Sequence, residues 1–278
     1  MLAAALAGLL APPSTALAAE RPTSLLPNSL LPSPGIHPPR ANDFGCEPTA
    51  EHPFPVVLVH GTLEDQTISW LLASPAIKRH GYCVFALDYG HRGTDPIQDS
   101  AIQLRDFVDR VREATGAERV SIVGHSQGGL MARYYIKFLG GAEAVDDLIG
   151  LAPSNHGTTL ALAAPVGNLI CPACTQQAAG SDFLAELDVG DETPGPVSYT
   201  QVETRYDEIV MPYTSAFLAP GPNTTNVLLQ DACPLDLSDH VLITHDPVAI
   251  DWAIEALDRP GPADPAFRPN CLLGGLVR

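Results

Sequence analysis

Short runs of consecutive apolar residues alternate along this chain with longer stretches in which apolar positions recur every three or four residues. Residues 55–60, ending at Gly61, are a short, β-branched and apolar run, the pattern of a buried strand; 82–87 are a second apolar strand, and 120–123 and 145–151 read as a third and fourth. Residues 197–202 alternate as a fifth strand, and 226–230 supply a sixth. The spacing predicts helices over 68–80, stopped by Gly81, over 97–115, stopped by Gly116, and over 130–139, closed by Gly140-Gly141. In the second of these, Ile97, Ala101, Leu104, Val108 and Val111 form one stripe, with Arg105, Asp109 and Arg112 off it. Asp246-Pro247 is an N-cap and first-turn pair opening a last helix to about Leu257. Strands alternating with helices predict the α/β class, a mostly parallel central sheet with helices on both faces. Residues 155–196 break the rhythm: they hold Gly, Pro and a CxxC but no strand pattern. A loop of that length in a compact domain is usually functional, as a lid or a binding wall.

Composition narrows the classes. Hydrophobic residues make up 45% of 278, enough for a sizeable core. The net charge of −17 excludes nucleic acid as a partner, since polyanions select basic faces. The same acidity excludes docking on anionic membranes by charge. Only 17% of residues are charged, while Pro, at 27 residues, is about twice its usual share.

The ends explain part of that. Residues 2–11 are an unbroken apolar run, too short for a bilayer span of about 20 residues. Ala16-Leu17-Ala18 follows as a small-x-small site, so residues 1–18 are expected to be a signal peptide, although no Lys or Arg precedes the run. Residues 19–45 are expected to form a Pro-rich arm, 46–278 the single folded domain, and 259–278 within it a Pro-rich tail. Six cysteines, an even number, fit an oxidising, extracellular compartment. Sequence alone allows about 15 pairings. Cys171 and Cys174 have CxxC spacing, but no second CxxC or HxxxH completes a zinc set, which leaves a short local disulfide. Cys46–Cys83 and Cys233–Cys271 are then the expected long-range pairs, each worth up to roughly 4 kcal/mol in the chain-entropy model.

Between the third strand and its helix stands Gly124-His125-Ser126-Gln127-Gly128-Gly129, a G-x-S-x-G elbow in its strand–turn–helix context. Ser126 is the candidate nucleophile. A serine at neutral pH needs a base and an acid that orients the base, and on this arrangement they follow the serine in that order of acid, then histidine. Asp207 lies after the fifth strand, with Glu208 as the alternative. Of nine histidines only His240 and His245 come later; His240 stands in the loop before the last helix, whereas His245 sits at the helix entrance and is expected to cap it. His60 and His125 precede the acid and are expected to support turns. Gln127 N–H, after the nucleophile, and Thr62 N–H, after the first strand, are the expected oxyanion donors.

These motifs resemble the α/β-hydrolase superfamily, specifically its secreted serine lipases and esterases. Residues 57–62 resemble their oxyanion strand, residues 123–129 their elbow, and residues 205–210 with Pro212 their acid loop. The chain is most similar to the bacterial extracellular triacylglycerol lipases and, more distantly, to the yeast lipase B type. Gly157-Thr158 after Ala152-Pro153, Gln176-Gln177 before Gly180-Ser181, and the placement of Cys46 and Cys83 support the latter. The resemblance implies a Ser126–His240–Asp207 triad, Thr62 and Gln127 as oxyanion donors, and an acyl-enzyme without cofactor. Some bacterial lipases carry a structural calcium, but the sequence shows no clear ligand cluster for one, so no metal is expected. The expected substrate is a hydrophobic, acylglycerol-like ester met by a monomer, with transient contact at a lipid–water interface. A polyester hydrolase or acyltransferase would use the same triad; a binding protein on this fold would not need it.

Overall fold

A computed structural model of the chain describes residues 35–160 and 170–272. The expected signal peptide (1–18), residues 19–34 of the arm, residues 161–169 of the expected wall, and the end of the tail lie outside the described residues. Six strands form one sheet: β1 (Val56–Val59), β2 (Val84–Leu87), β3 (Val120–His125), β4 (Val145–Leu151), β5 (Ser198–Glu203) and β6 (Thr224–Leu228). Their order is β2-β1-β3-β4-β5-β6, and every neighbouring pair is parallel. The principal helices are α1 (Ala73–Arg79), α2 (Ile97–Thr115), α3 (Gln127–Phe138), α4 (Pro172–Gln176), α5 (Asp182–Leu187) and α6 (Pro247–Leu257).

The unbroken apolar runs follow from this layering. Successive side chains of a strand face opposite sides, and here both sides are covered. Val57 and Val59 join α2 and α3 in one core, while Val56 and Leu58 join α1, α6 and Trp70 in the other. The α2 stripe predicted from spacing is fully buried at all five positions. Leu104→Ala there would cost about 2–5 kcal/mol, the transfer term plus a cavity.

Three elements differ from their sequence patterns. The helix expected over 68–80 is split into a turn at Gln66–Ser69 and α1. Pro75 is the cause: without an N–H it fits only the first turn of a helix, so α1 must begin just before it. Helix α3 starts at Gln127 rather than 130, because Gly128 and Gly129 serve close packing inside the helix instead of a turn. Strand β6 lies at 224–228, two positions earlier than expected, and Leu229–Ala232 is a helical turn. Asn226, a poor strand former, is tolerated there because its amide exchanges two hydrogen bonds with Leu218.

The expected disulfides are all present: Cys46–Cys83, Cys171–Cys174 and Cys233–Cys271. Beside the first, Asn42 donates its backbone N–H to the Val84 carbonyl at 2.9 Å. The Asn42 amide also donates to the Ala86 carbonyl and accepts from the Ala86 N–H, both at 2.8 Å. The last ties the tail down, where Phe267 packs edge-on to Trp252.

Candidate active site

β3 leads to Ser126, which turns the chain into α3 with φ 52° and ψ −122°. A non-glycine residue in that left-handed region costs about 1–3 kcal/mol and needs surroundings that impose it. Two glycines make the turn sterically feasible. A Cβ on Gly124 would lie 2.6 Å from the Gly129 nitrogen, and one on Gly128 would lie 2.3 Å from the Val59 carbonyl oxygen. Without them α3 could not approach β1 and β3 closely. Ser126 is thereby presented at the carboxyl edge of the sheet, above the N-terminus of α3.

Asp207 sits in the turn after β5. One carboxylate oxygen accepts the N–H groups of Ile209 and Val210, at 2.8 and 2.7 Å. The other faces His240 Nδ1 at 2.7 Å, and His240 Nε2 faces Ser126 Oγ at 3.0 Å. With Nδ1–H donated to Asp207, Nε2 is left bare to accept the serine hydroxyl, the arrangement a general base requires. All three residues are buried. The alternatives stand elsewhere: Glu208 reaches only the His240 backbone N–H, at 3.4 Å, and His245 bonds the Thr244 hydroxyl. Glu203, at the end of β5, is fully buried beside Asp207. Burial, reinforced by the Asp207 charge, pushes its carboxyl well above the usual range.

Gln127 N–H is the first of the α3 N–H groups that have no acceptor within the helix. Thr62 follows β1 after Gly61, where a Cβ would meet His125 Nδ1 at 2.9 Å and Ser126 Cβ at 3.2 Å. The loop therefore lies directly over the serine. Thr62 Oγ1 donates to Gln127 Oε1 at 2.5 Å. Gln177 Nε2 donates to Thr62 Oγ1 at 2.9 Å and to Gln127 Oε1 at 3.0 Å, while Ser154 Oγ donates to Gln177 Oε1 at 2.8 Å. Gln177, at the C-terminus of α4, thus locks the side chains of both candidate donors. No spacing rule points to it; only the similarity of Gln176-Gln177 to lipase B singled out that pair.

A cavity of about 220 Å³ opens onto Ser126 and His240. Leu63, Ile209, Val210 and Val241 supply its apolar wall, with Thr158 and Gln177 from the segment expected to form the acyl-site wall. One group of potential metal ligands occurs among the described residues: His156, Asp188 and Glu192. The Arg133 guanidinium already reaches Asp188 at 3.3 Å and Glu192 at 3.9 Å. His156 bonds Glu192 at 2.5 Å. That group fits a salt-bridge network better than a cation site.

Residues 53–253 match the family model described as lipase (class 2). A triacylglycerol lipase of Pseudarthrobacter phenanthrenivorans is 34% identical over 87 residues, covering 29% of this chain and 27% of that protein. Lipase B of Pseudozyma antarctica is 30% identical over 131 residues, covering 45% and 38%. The matches to these curated relatives thus span from about a quarter to two fifths of their lengths. Among solved structures, Aspergillus fumigatus lipase B superposes with a TM-score of 0.71 at 23% identity, over 83% of this chain and 57% of that one. A mature Bacillus licheniformis lipase gives 0.53 at 19% identity, over 66% and 85%. The fold is that of the α/β-hydrolases.

Proposed function

Because the chain belongs to the class 2 lipase family, we propose that it hydrolyses hydrophobic carboxylic esters through an acyl-enzyme on Ser126. The observation that carries this reading is the continuous line from Asp207 through His240 to Ser126, opening on an apolar cavity. His240 Nε2 takes the hydroxyl proton as Ser126 Oγ attacks the ester carbonyl. Asp207 keeps the imidazole in the required tautomer and balances the imidazolium. The oxyanion is met by the N–H groups of Thr62 and Gln127. His240 returns the proton to the leaving alcohol, then activates the water that releases the acid. An added alcohol in place of that water would give transesterification by the same steps.

Leu63, Val241 and Leu242 favour an acylglycerol-like substrate met at an oil surface. The first two line the cavity, and all three are about half exposed, at 51, 54 and 55%. The six paired cysteines support action outside the cell, with cleavage after Ala18. Among the described residues no helix is long and apolar enough to cross a membrane.

Ser126→Ala tests the reading. It is expected to lower kcat on p-nitrophenyl esters by about 10⁶ and to abolish labelling by a fluorophosphonate. Undiminished labelling of that variant would sink the assignment.

A further inference from the structure

His125, beside the nucleophile, and Glu64, in the loop after β1, have no part in the proton transfers above. We propose that Glu64 and a doubly protonated His125 act as a positioning pair, holding the oxyanion loop and the base loop in register around Ser126; this rests on the acyl-enzyme reading.

Their contacts require it. His125 is 1% exposed, and its two ring nitrogens face acceptors only. Nε2 lies 2.9 Å from the His240 carbonyl oxygen, and Nδ1 lies 2.9 Å from Glu64 Oε2. A carbonyl oxygen only accepts, so Nε2 carries hydrogen. Glu64 Oε2 also accepts the Gly61 N–H at 2.9 Å and the Ser69 hydroxyl at 2.7 Å. An oxygen receiving two other donors is a carboxylate oxygen, so the proton between it and His125 belongs to Nδ1. The groups facing the ring agree. Burial opposes charge on His125, but the charge and hydrogen bond of Glu64, the His240 carbonyl and the charge of Asp207 hold it above its ordinary value. Burial likewise opposes charge on Glu64, and His125, Ser69 and Gly61 together hold it far below the usual carboxylate range.

The pair joins three catalytic segments. Glu64 fixes Gly61 N–H, one peptide before the Thr62 donor. Its partner His125 is the residue preceding the nucleophile. Through Nε2, that imidazolium holds the main chain of His240, whose own N–H has only the 3.4 Å contact with Glu208. Gly61 leaves the room for this, since a Cβ there would collide with His125 Nδ1. The His240 and His125 rings are 4.9 Å apart, so the imidazolium also stands beside the base.

Because the folded His125 is held above its ordinary value, the pair is lost as pH rises through that raised value. Nitrogen-resolved NMR of the wild-type ring is expected to give two N–H signals at neutral pH; a single proton would overturn the proposal. Glu64→Gln is expected to lower kcat on the order of ten- to a hundredfold with KM nearly unchanged, as misplacement of catalytic groups does. It is also expected to move the alkaline limb of kcat toward neutrality. A profile merely scaled down at all pH values, with a lower Tm, would mean a structural role only and would overturn it. Fluorophosphonate titration counts competent sites in each sample. Turnover retained by Ser126→Ala would break the underlying reading, whereas an inert Ser126→Ala beside an unchanged Glu64→Gln would break this inference alone.

Discussion

The elbow and the wall segment face each other across the candidate active site, and they are held by different physics. Around Ser126 the geometry is imposed by backbone: a left-handed turn, and glycines whose missing Cβ atoms let α3 lie on β1 and β3. The described parts of the wall segment, 154–160 and 170–192, are held in large part by side-chain hydrogen bonds. Gln176 accepts from Ile97 N–H, Gln177 bridges Thr62 and Gln127, and Lys137 donates to the carbonyls of Leu187, Val189 and Asp191. Phe183, Leu184 and Leu187 are its main apolar anchors. Chemistry therefore resides where a one-atom change is intolerable. The part that would shape substrate choice hangs on contacts that side-chain substitutions can retune.

Gly128→Ala should break the comparison most severely. Its Cβ has no room against the Val59 and His60 carbonyls, so α3 must move off the sheet. The expected cost is about 1–3 kcal/mol or more in stability. A loss on the order of 10²–10³ in kcat should accompany it as the Gln127 donor shifts. Thermal melting and active-site titration together measure both; a normal kcat would mean the close approach is dispensable.

Gln177→Ala should act across the boundary between the two regions. It removes the donor that locks Thr62 and Gln127, and kcat is expected to fall roughly tenfold, with stability changed by about 1 kcal/mol. If only KM changes, Gln177 belongs to substrate binding and not to the oxyanion site.

The smallest effect is expected from pH on the wall. The hydrogen bond from His156 holds Glu192 down to about 2, and the same bond raises His156. A lowered carboxyl contributes above its unfolded value and is lost as pH falls through the folded one. A raised imidazole contributes below its unfolded value and is lost as pH rises through the folded one. The contact is thus strongest between roughly pH 4.5 and 6.5. Amide exchange in residues 182–192, corrected for intrinsic rate, should be faster at about pH 9 than at about pH 6, with β3 and β4 unchanged. Equal exchange at both would show that the wall does not depend on this pair.

The same contrast explains what the sequence made legible. Strands β1 to β4 are short, largely apolar runs, and the elbow carries its glycines at fixed offsets, so one-dimensional patterns sufficed for them. Chain order pointed to Asp207 and His240 but left Glu208 and His245 open; the His240 ring lies between Asp207 and Ser126, whereas Glu208 meets only the His240 backbone and His245 bonds Thr244. Gln177, 50 positions from Gln127, and the Glu64–His125 pair, 61 positions apart, are polar contacts made only by folding, and no periodicity encodes them. The break before α1 escaped the helical pattern although Pro75 signals it, and β6 was expected two positions late, its Asn226 being paired with Leu218 across a loop.

Asn42 has a consequence for the molecule among its neighbours. β2 is the first strand of the sheet, and its outer carbonyl and amide groups would otherwise template another chain. Asn42 occupies those groups at Val84 and Ala86 as a one-residue substitute strand, and the Cys46–Cys83 bridge keeps it there. A protein that crowds at an oil surface, as this one is proposed to, gains from a sheet that offers no free rung there for aggregation to climb.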